Sequence, residues 1–593
     1  MSVVNRWTGV VLFGLALGFA ACSSNKDGFS QDAPQLVDVD AGADVSSPPP
    51  AACEGRRCSR DLHSVIDGCT GQVLETCADD QGCASARCVT ACDSAAASQG
   101  SIGCSFWSTP PDVSTFGQNS CFAAFIANTW NTPVTVTAEY GSDPLDVSNS
   151  VYKATTGADG ATTYTRIEGA IPPGEVGIVF LQQGDPLPRD QHFVACPKGV
   201  NVAWHGIPIP EHQTSIYKAF HLSTNLPVSA YSMFPYGGAK SYIPSATLLV
   251  PSTSWDTNYF LVDGWKSNEG MPFVQIIAQE DNTEVRMKPS VALKEGKGVA
   301  PAPAGFTASW TINRGEVLEF AQGSSLAGSP IQTSHPVALF GGSQCSYVPS
   351  NIGACDSLHQ QIAPLRQWAS TYSAVPYRSR IVGLQGTPLI EEAVYWKMVA
   401  ARDGTTLTYE PAPPPDAPTT LNAGESVTFT SAAPFVVKSQ GNDYPFYVAV
   451  YMSGGDVYST PGDPDFVNIV PDEQFLDHYV FFVDHTFSES VLTLVRRKDE
   501  SGAFHDVSLD CAGTIAGWQP LGKDGTIEYT WVALTHNGQG VTTPAGTCSY
   551  GRHEAKSDGA FMVYVWGEDT YASYGFPAGA GSRPTSPYTV EIR

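Results

Sequence analysis

Pro251-Ser252-Thr253-Ser254-Trp255-Asp256-Thr257-Asn258-Tyr259 is a stretch whose skeleton the chain writes three times. It returns as Pro364-x3-Trp368-x3-Tyr372 and as Pro471-x3-Phe475-x3-Tyr479, at intervals of roughly 110 residues. A second marker keeps step with it: Gly315-Glu316-Val317-Leu318 and Gly424-Glu425-Ser426-Val427, with a fainter Gly174-Glu175-Val176. A third is Pro227-Val228-Ser229-Ala230-Tyr231, echoed by Pro336-Val337-Ala338-Leu339-Phe340 and Pro445-Phe446-Tyr447-Val448-Ala449. Three markers in one order at one period are the signature of a repeat architecture. They predict about four related units within 105–593, near 105–243, 244–354, 355–459 and 460–593. The first and last diverge most, as terminal repeats often do.

The repeat body reads as all-β. Apolar runs of four to eight residues alternate with turn signals, and no long helical period appears. Phe273–Ala278, then Asp281-Asn282, then Thr283–Met287 reads as a hairpin. Asp356 to Trp368 is given one helical turn or two. Each unit offers about seven strands, which predicts tandem β-sandwich-like units. The alternative is a large β-propeller with about two blades per unit. A proline opening a strand is tolerated where no ladder donor is needed, and large aromatics fill core space. Pro251, Trp255, Tyr259, Pro364, Trp368, Tyr372, Pro471, Phe475 and Tyr479 are therefore read as repeat core.

The N-terminal end has a different character. Arg6 precedes an apolar run, Val10 to Ala21, that is too short to span a bilayer and long enough for a signal peptide. Phe19-Ala20-Ala21-Cys22 resembles a bacterial lipobox, so 1–21 is read as a lipoprotein signal peptide and Cys22 as the acylated (palmitate-bearing) new N-terminus. Ser23 after it fits export to the outer membrane of a double-membrane bacterium. Residues 22–50, ending in Pro48-Pro49-Pro50, are too polar to offset their ordering entropy and read as a disordered tether. Residues 51–104 hold eight cysteines and read as a small cysteine-rich module held by disulfides rather than by a core.

Of the 593 residues, 58 are acidic and 32 basic, a formal charge of −26. That excludes the basic footprint of a nucleic-acid binder and leaves the lipid as the only membrane attachment. With 56 glycines and 44 prolines beside only 15% charged residues, the usage is that of a turn-rich extracellular protein. Fifteen cysteines less Cys22 leave an even number, which predicts as many as seven disulfides after export.

Longer stretches carry a resemblance. Among them are Phe220-His221-Leu222-Ser223-Thr224-Asn225-Leu226-Pro227, Leu248-Leu249-Val250-Pro251, and Ile277-Ala278-Gln279-Glu280-Asp281-Asn282-Thr283. So are Pro336-Val337-Ala338-Leu339-Phe340-Gly341-Gly342-Ser343-Gln344-Cys345, Ala354-Cys355-Asp356-Ser357-Leu358, and Tyr574-Gly575-Phe576-Pro577. Over about 120–580 these resemble the N-terminal domain family of the IgGFc-binding protein. The resemblance implies an extracellular binding or adhesion role and no catalysis. Cys345 and Cys355 flank a turn-rich loop and are expected to pair. Cys511 with Cys548, and Cys121 with Cys196, are expected to pair within the last and first units.

Enzyme constellations are weak. Gly341-Gly342-Ser343-Gln344-Cys345 lacks the second glycine and following helix of a nucleophile elbow. His205, His212, His221 and His335 form no His-Glu-x-x-His motif. No catalytic, cofactor or metal residue is assigned. The expected function is a lipid-anchored binding or adhesion protein whose partner is an extracellular protein or glycan. A self-assembling envelope or matrix component and an unrecognised secreted hydrolase are the alternatives. Mass spectrometry of the mature N-terminus is expected to find an acylated Cys22; an unmodified start elsewhere would refute the anchor.

Overall fold

The computed structural model describes residues 55–592 apart from Arg60, 114–115, 158–159, 267–268 and 382–391. The signal peptide, Cys22 and the tether lie outside the described residues. Nearly every described element is a strand. No helix among the described residues is long and apolar enough to cross a membrane. The longest helix among the described residues is α1, Ala91–Ser98, which the sequence pattern does not mark. Thr90 caps it by accepting the Asp93 N–H, and Cys92 on its first turn pairs with Cys104. Cys58–Cys83 and Cys77–Cys88 hold the rest of the module. The module leans on the body through Trp130, whose indole N–H donates to the Asp79 carbonyl and whose ring lies 4.2 Å from His63.

Eight strands carry the architecture: β1 (Phe220–Phe234), β2 (Ser245–Leu249), β3 (Pro330–Ser346), β4 (Asp356–Ile362), β5 (Phe446–Met452), β6 (Asp465–Asn468), β7 (Gly551–Asp569) and β8 (Ala572–Pro577). β3 shows the pattern. Its first part pairs with Asp256–Phe260 on one side and Thr283–Met287 on the other. Its second part, from Val337, pairs with Pro272–Ala278 and with β4. One bent strand thus serves two parts of one curled antiparallel sheet. β1 and β7 do the same. In the third case the long strand is broken into Phe435–Lys438 and β5. Pro227, Pro336 and Pro445 sit where the chain changes pairing partners, where a missing N–H leaves no ladder donor unpaired.

Two expectations change. Phe273–Ala278 and Thr283–Met287 are not a hairpin; each pairs with a different part of β3. The intervening turn, with Asn282 at φ 57°, carries the chain from one part of β3 to the other instead of folding it back. Asp356 to Trp368 does hold one helical turn, the 3-10 turn Leu365–Gln367, but strand β4 makes up most of it. β4 escapes a strand reading because its Ser357, His359, Gln360 and Gln361 are all buried, so no apolar-polar alternation marks it.

The strands just past residues 243, 354 and 459 pair backward: β2 with β1, β4 with β3, and β6 with β5. β8 closes onto β7 in the same way. These four closing strands form a ring, β2 against β4 and β8, and β6 against β4 and β8. Each is an edge strand, and unpaired edges need partners. Side chains supply them. Gln360 donates to the Ala246 carbonyl (2.8 Å) and the Gly575 carbonyl (2.9 Å), and Asn468 donates to the Gln361 carbonyl (2.8 Å).

The proline stretch that recurs in sequence is one recurring corner. Pro251, Pro364 and Pro471 each begin a 3-10 turn whose last N–H returns to the proline carbonyl at 2.9 Å. The Trp255 and Trp368 indoles donate to the Val250 and Ala363 carbonyls, just before the proline. The tyrosine hydroxyls close the arrangement. Tyr259 donates to the Val337 carbonyl (2.6 Å), Tyr372 to Phe446 (2.5 Å) and Tyr479 to Phe561 (2.6 Å). Each also accepts the N–H three residues before it. Tyr372→Phe and Tyr479→Phe are expected to keep the packing and strand these buried groups, each costing about 1–3 kcal/mol. Urea-unfolding midpoints read by tryptophan fluorescence check this; unchanged midpoints would remove the hydroxyls from the role.

Candidate functional site

The 3-10 turn of the third corner, Asp472–Gln474, does more than turn the chain. Asp472 and Glu473 border an open groove of about 310 Å3. Arg497 and Lys498, at the end of the strand Glu489–Arg497, form part of its wall, with Lys438 at the end of Phe435–Lys438. Antiparallel pairing of Glu489–Arg497 with Ile527–His536 holds the two cations in place and brings Thr526 to the rim.

The charges in this groove are unequally satisfied. The Asp472 carboxylate accepts the Ser373 N–H and hydroxyl, both at 2.8 Å. Burial pushes its pKa up to about 7, against those hydrogen bonds. Burial also raises Glu473, and its Oε2 is enclosed with no hydrogen-bond partner. Lys438 is committed to Glu410 at 3.0 Å. Lys498 lies 5.1 Å from the Phe504 ring centroid. Arg497 makes no side-chain hydrogen bond or ion pair among the described residues, although both carboxylates feel its charge. A structural Arg–carboxylate pair closes to bidentate contact. Here Arg497 and Glu473 border the same groove and make no ion pair with each other.

The residues singled out from sequence fall elsewhere. The nine repeat-core residues form the three corners. Disulfides join Cys121–Cys196, Cys345–Cys355 and Cys511–Cys548, making six among the described residues. Ser343 lies inside β3, fully buried and paired on both sides, with no helix after it. His221 stacks on Trp107 at 4.2 Å and meets Glu139, which Arg314 also holds. His335 faces Glu280 at 3.7 Å, and His205 ends a two-residue strand. His212 is tied to the buried Asp112 at 2.5 Å. Asp510, Cys511 and His553 converge, but the Cys511 sulfur is spent in its disulfide. The groove was missed. Its carboxylates and its cations come from separate stretches of chain, and the one visible signal was the run Arg496-Arg497-Lys498 in a chain poor in bases.

A second cavity, of about 70 Å3, lies where the corners meet, against Trp368, Tyr372, Tyr447 and Val470. The C-terminal segment borders it. That segment donates from Gly581 to the Gln474 carbonyl, from Thr585 to the Arg366 carbonyl and from Val590 to Asn258. This space belongs to the packing of the corners.

The described body is thus a set of curled antiparallel sheets built on bent strands, with a charged groove. A family profile described as IgGFc binding protein matches residues 245–567, more than half of the chain. The chain belongs to the IgGFc-binding protein family. The match takes in the three corners, β2 to β6 and the groove. This is a family of extracellular binding proteins rather than of enzymes. No curated protein and no solved structure matches the chain.

Burial leaves a mark on the titration of this family member. Burial pushes Asp463 up to about 7 and Glu568 up to about 8. Asp356 and Asp465 are also raised by burial, Asp356 further by the charges of Asp463 and Asp465. A carboxyl whose folded pKa exceeds its unfolded value contributes stability that is fully present below the unfolded pKa and is lost as pH rises through the folded one. Melting temperature is therefore expected to fall as pH rises from about 5 to 9. Glu568→Gln, a neutral isostere, is expected to flatten the loss above pH 7. A melting temperature that is level or rises over this range counts against the assignment.

Proposed function

We propose that the protein is a lipid-anchored display protein that binds a macromolecule or glycan outside the cell. The observation that carries this reading is the IgGFc-binding family match across the β-repeat body. The groove at Glu473 and Arg497 supports it, because an unpaired guanidinium and a carboxyl oxygen without a partner both lie on it. The sequence before the body supports the mount. A signal peptide over 1–21, acylation at Cys22 and a polar tether over 22–50 would hold the body away from an outer-membrane surface. Six disulfides suit a protein that works in an oxidising compartment. The ligand is an extracellular protein or glycan; nucleic acid is disfavoured by the charge of −26. The purified chain, screened against glycans and surface proteins, is expected to retain a specific ligand. No retention on either panel, together with unimpaired cell adhesion after deletion of the gene, would overturn the proposal.

A further inference from the structure

We propose that the groove between Glu473 and Arg497 binds an acidic saccharide: a sugar-sized ligand carrying a carboxylate or sulfate beside free hydroxyls. The inference rests on the binding reading above and names the ligand chemistry of its groove. A volume of about 310 Å3 lies at the lower end of sites that hold small molecules. The guanidinium of Arg497 is always charged and offers a planar fork of donors matched to a carboxylate or sulfate. Among the described residues it has no acceptor of its own. Lys498 adds a second positive charge with no ion pair beside it.

The opposite wall selects the rest of the ligand. Asp472 is already engaged by Ser373, so the free acceptor is Glu473 Oε2, enclosed and without a donor. Leaving a buried acceptor unmet costs free energy that a ligand hydroxyl would return. A ligand ammonium at that oxygen meets Arg497 and Lys498, whose unpaired like charges oppose it. A divalent cation meets the same two charges. A hydroxyl satisfies Glu473 without adding positive charge, and the acidic group satisfies Arg497. Sugars bearing uronate or sulfate groups combine the two within one ring. The groove is open to solvent, so a residue within a longer polysaccharide can enter.

Calorimetry on the full chain tests this with short uronate oligosaccharides, sulfated oligosaccharides and neutral ones of equal length. An acidic series is expected to bind and the neutral one not; which acidic series binds separates carboxylate from sulfate. Arg497→Gln is expected to weaken binding at least about tenfold with an unchanged melting temperature. Lys498→Gln is expected to weaken it less. Raising the ionic strength roughly tenfold is expected to weaken binding to the unsubstituted chain. Equal binding of neutral and acidic sugars, or binding only of free amino acids, overturns the inference. So does an affinity indifferent to Arg497→Gln. If that variant fails to fold, affinity indifferent to both Lys498→Gln and salt overturns it. A chain that retains a protein partner but no saccharide defeats this inference and leaves the binding reading intact.

Discussion

A carbonyl at the bend of each long strand is the group the architecture has to satisfy. Val337, Phe446 and Phe561 sit where the chain changes pairing partners, and all three are fully buried. Bends of this kind break the ladder, and a buried carbonyl without a donor is costly. The tyrosine hydroxyl of each corner donates to that carbonyl while accepting an N–H from its own turn. Because the corner follows a closing strand, the same residues that seal one bend also join the ring to the next outer sheet. Burial pushes all three phenols well above their ordinary range, so they remain hydrogen-bond donors at any pH the protein meets.

The ring of closing strands solves a related problem. β2, β4, β6 and β8 each end a sheet, and four bare edges would invite pairing with other chains. Turning those edges inward removes the hazard and leaves backbone groups to be satisfied by side chains. Gln360 spans from β4 to both β2 and β8, and Asn468 reaches from β6 to β4. The C-terminal segment then touches the third, second and first corners in turn. Units far apart in sequence are thereby held to one another by polar contacts as well as by apolar packing.

The groove follows from this arrangement. Its carboxylates ride on the turn of the third corner, and its cations end a strand of the fourth long-strand sheet. Each element is placed for reasons of packing, yet together they set Arg497 opposite an orphan carboxylate oxygen. Nothing in the corner requires that apposition: the first and second turns carry Ser-Thr-Ser and Leu-Arg-Gln where the third carries Asp-Glu-Gln. Asp472 is held by Ser373, so Glu473 is the charged side chain of that turn left to serve binding, while the proline, the aromatic and the tyrosine already make the corner.

The sequence by itself determined the β class, the period of the corners, the turn glycines and the family, because these depend on residue spacing that any copy of the motif must keep. Gly174, Gly315 and Gly424 show why: each adopts positive φ, at 72°, 78° and 73°, and donates its N–H to the end of a neighbouring strand. Tertiary structure alone decided which strands pair. Phe273–Ala278 and Thr283–Met287 read as a hairpin from local pattern, but both spend their hydrogen bonds on β3. β4 hides from any alternation rule because its buried polar side chains find partners on distant strands, Gln360 at two carbonyls, His359 at the Gln275 side chain and Gln361 at the Val250 N–H. The groove is legible least of all: Glu473 and Arg497 are separated along the chain, and only the closure of two sheets makes them neighbours.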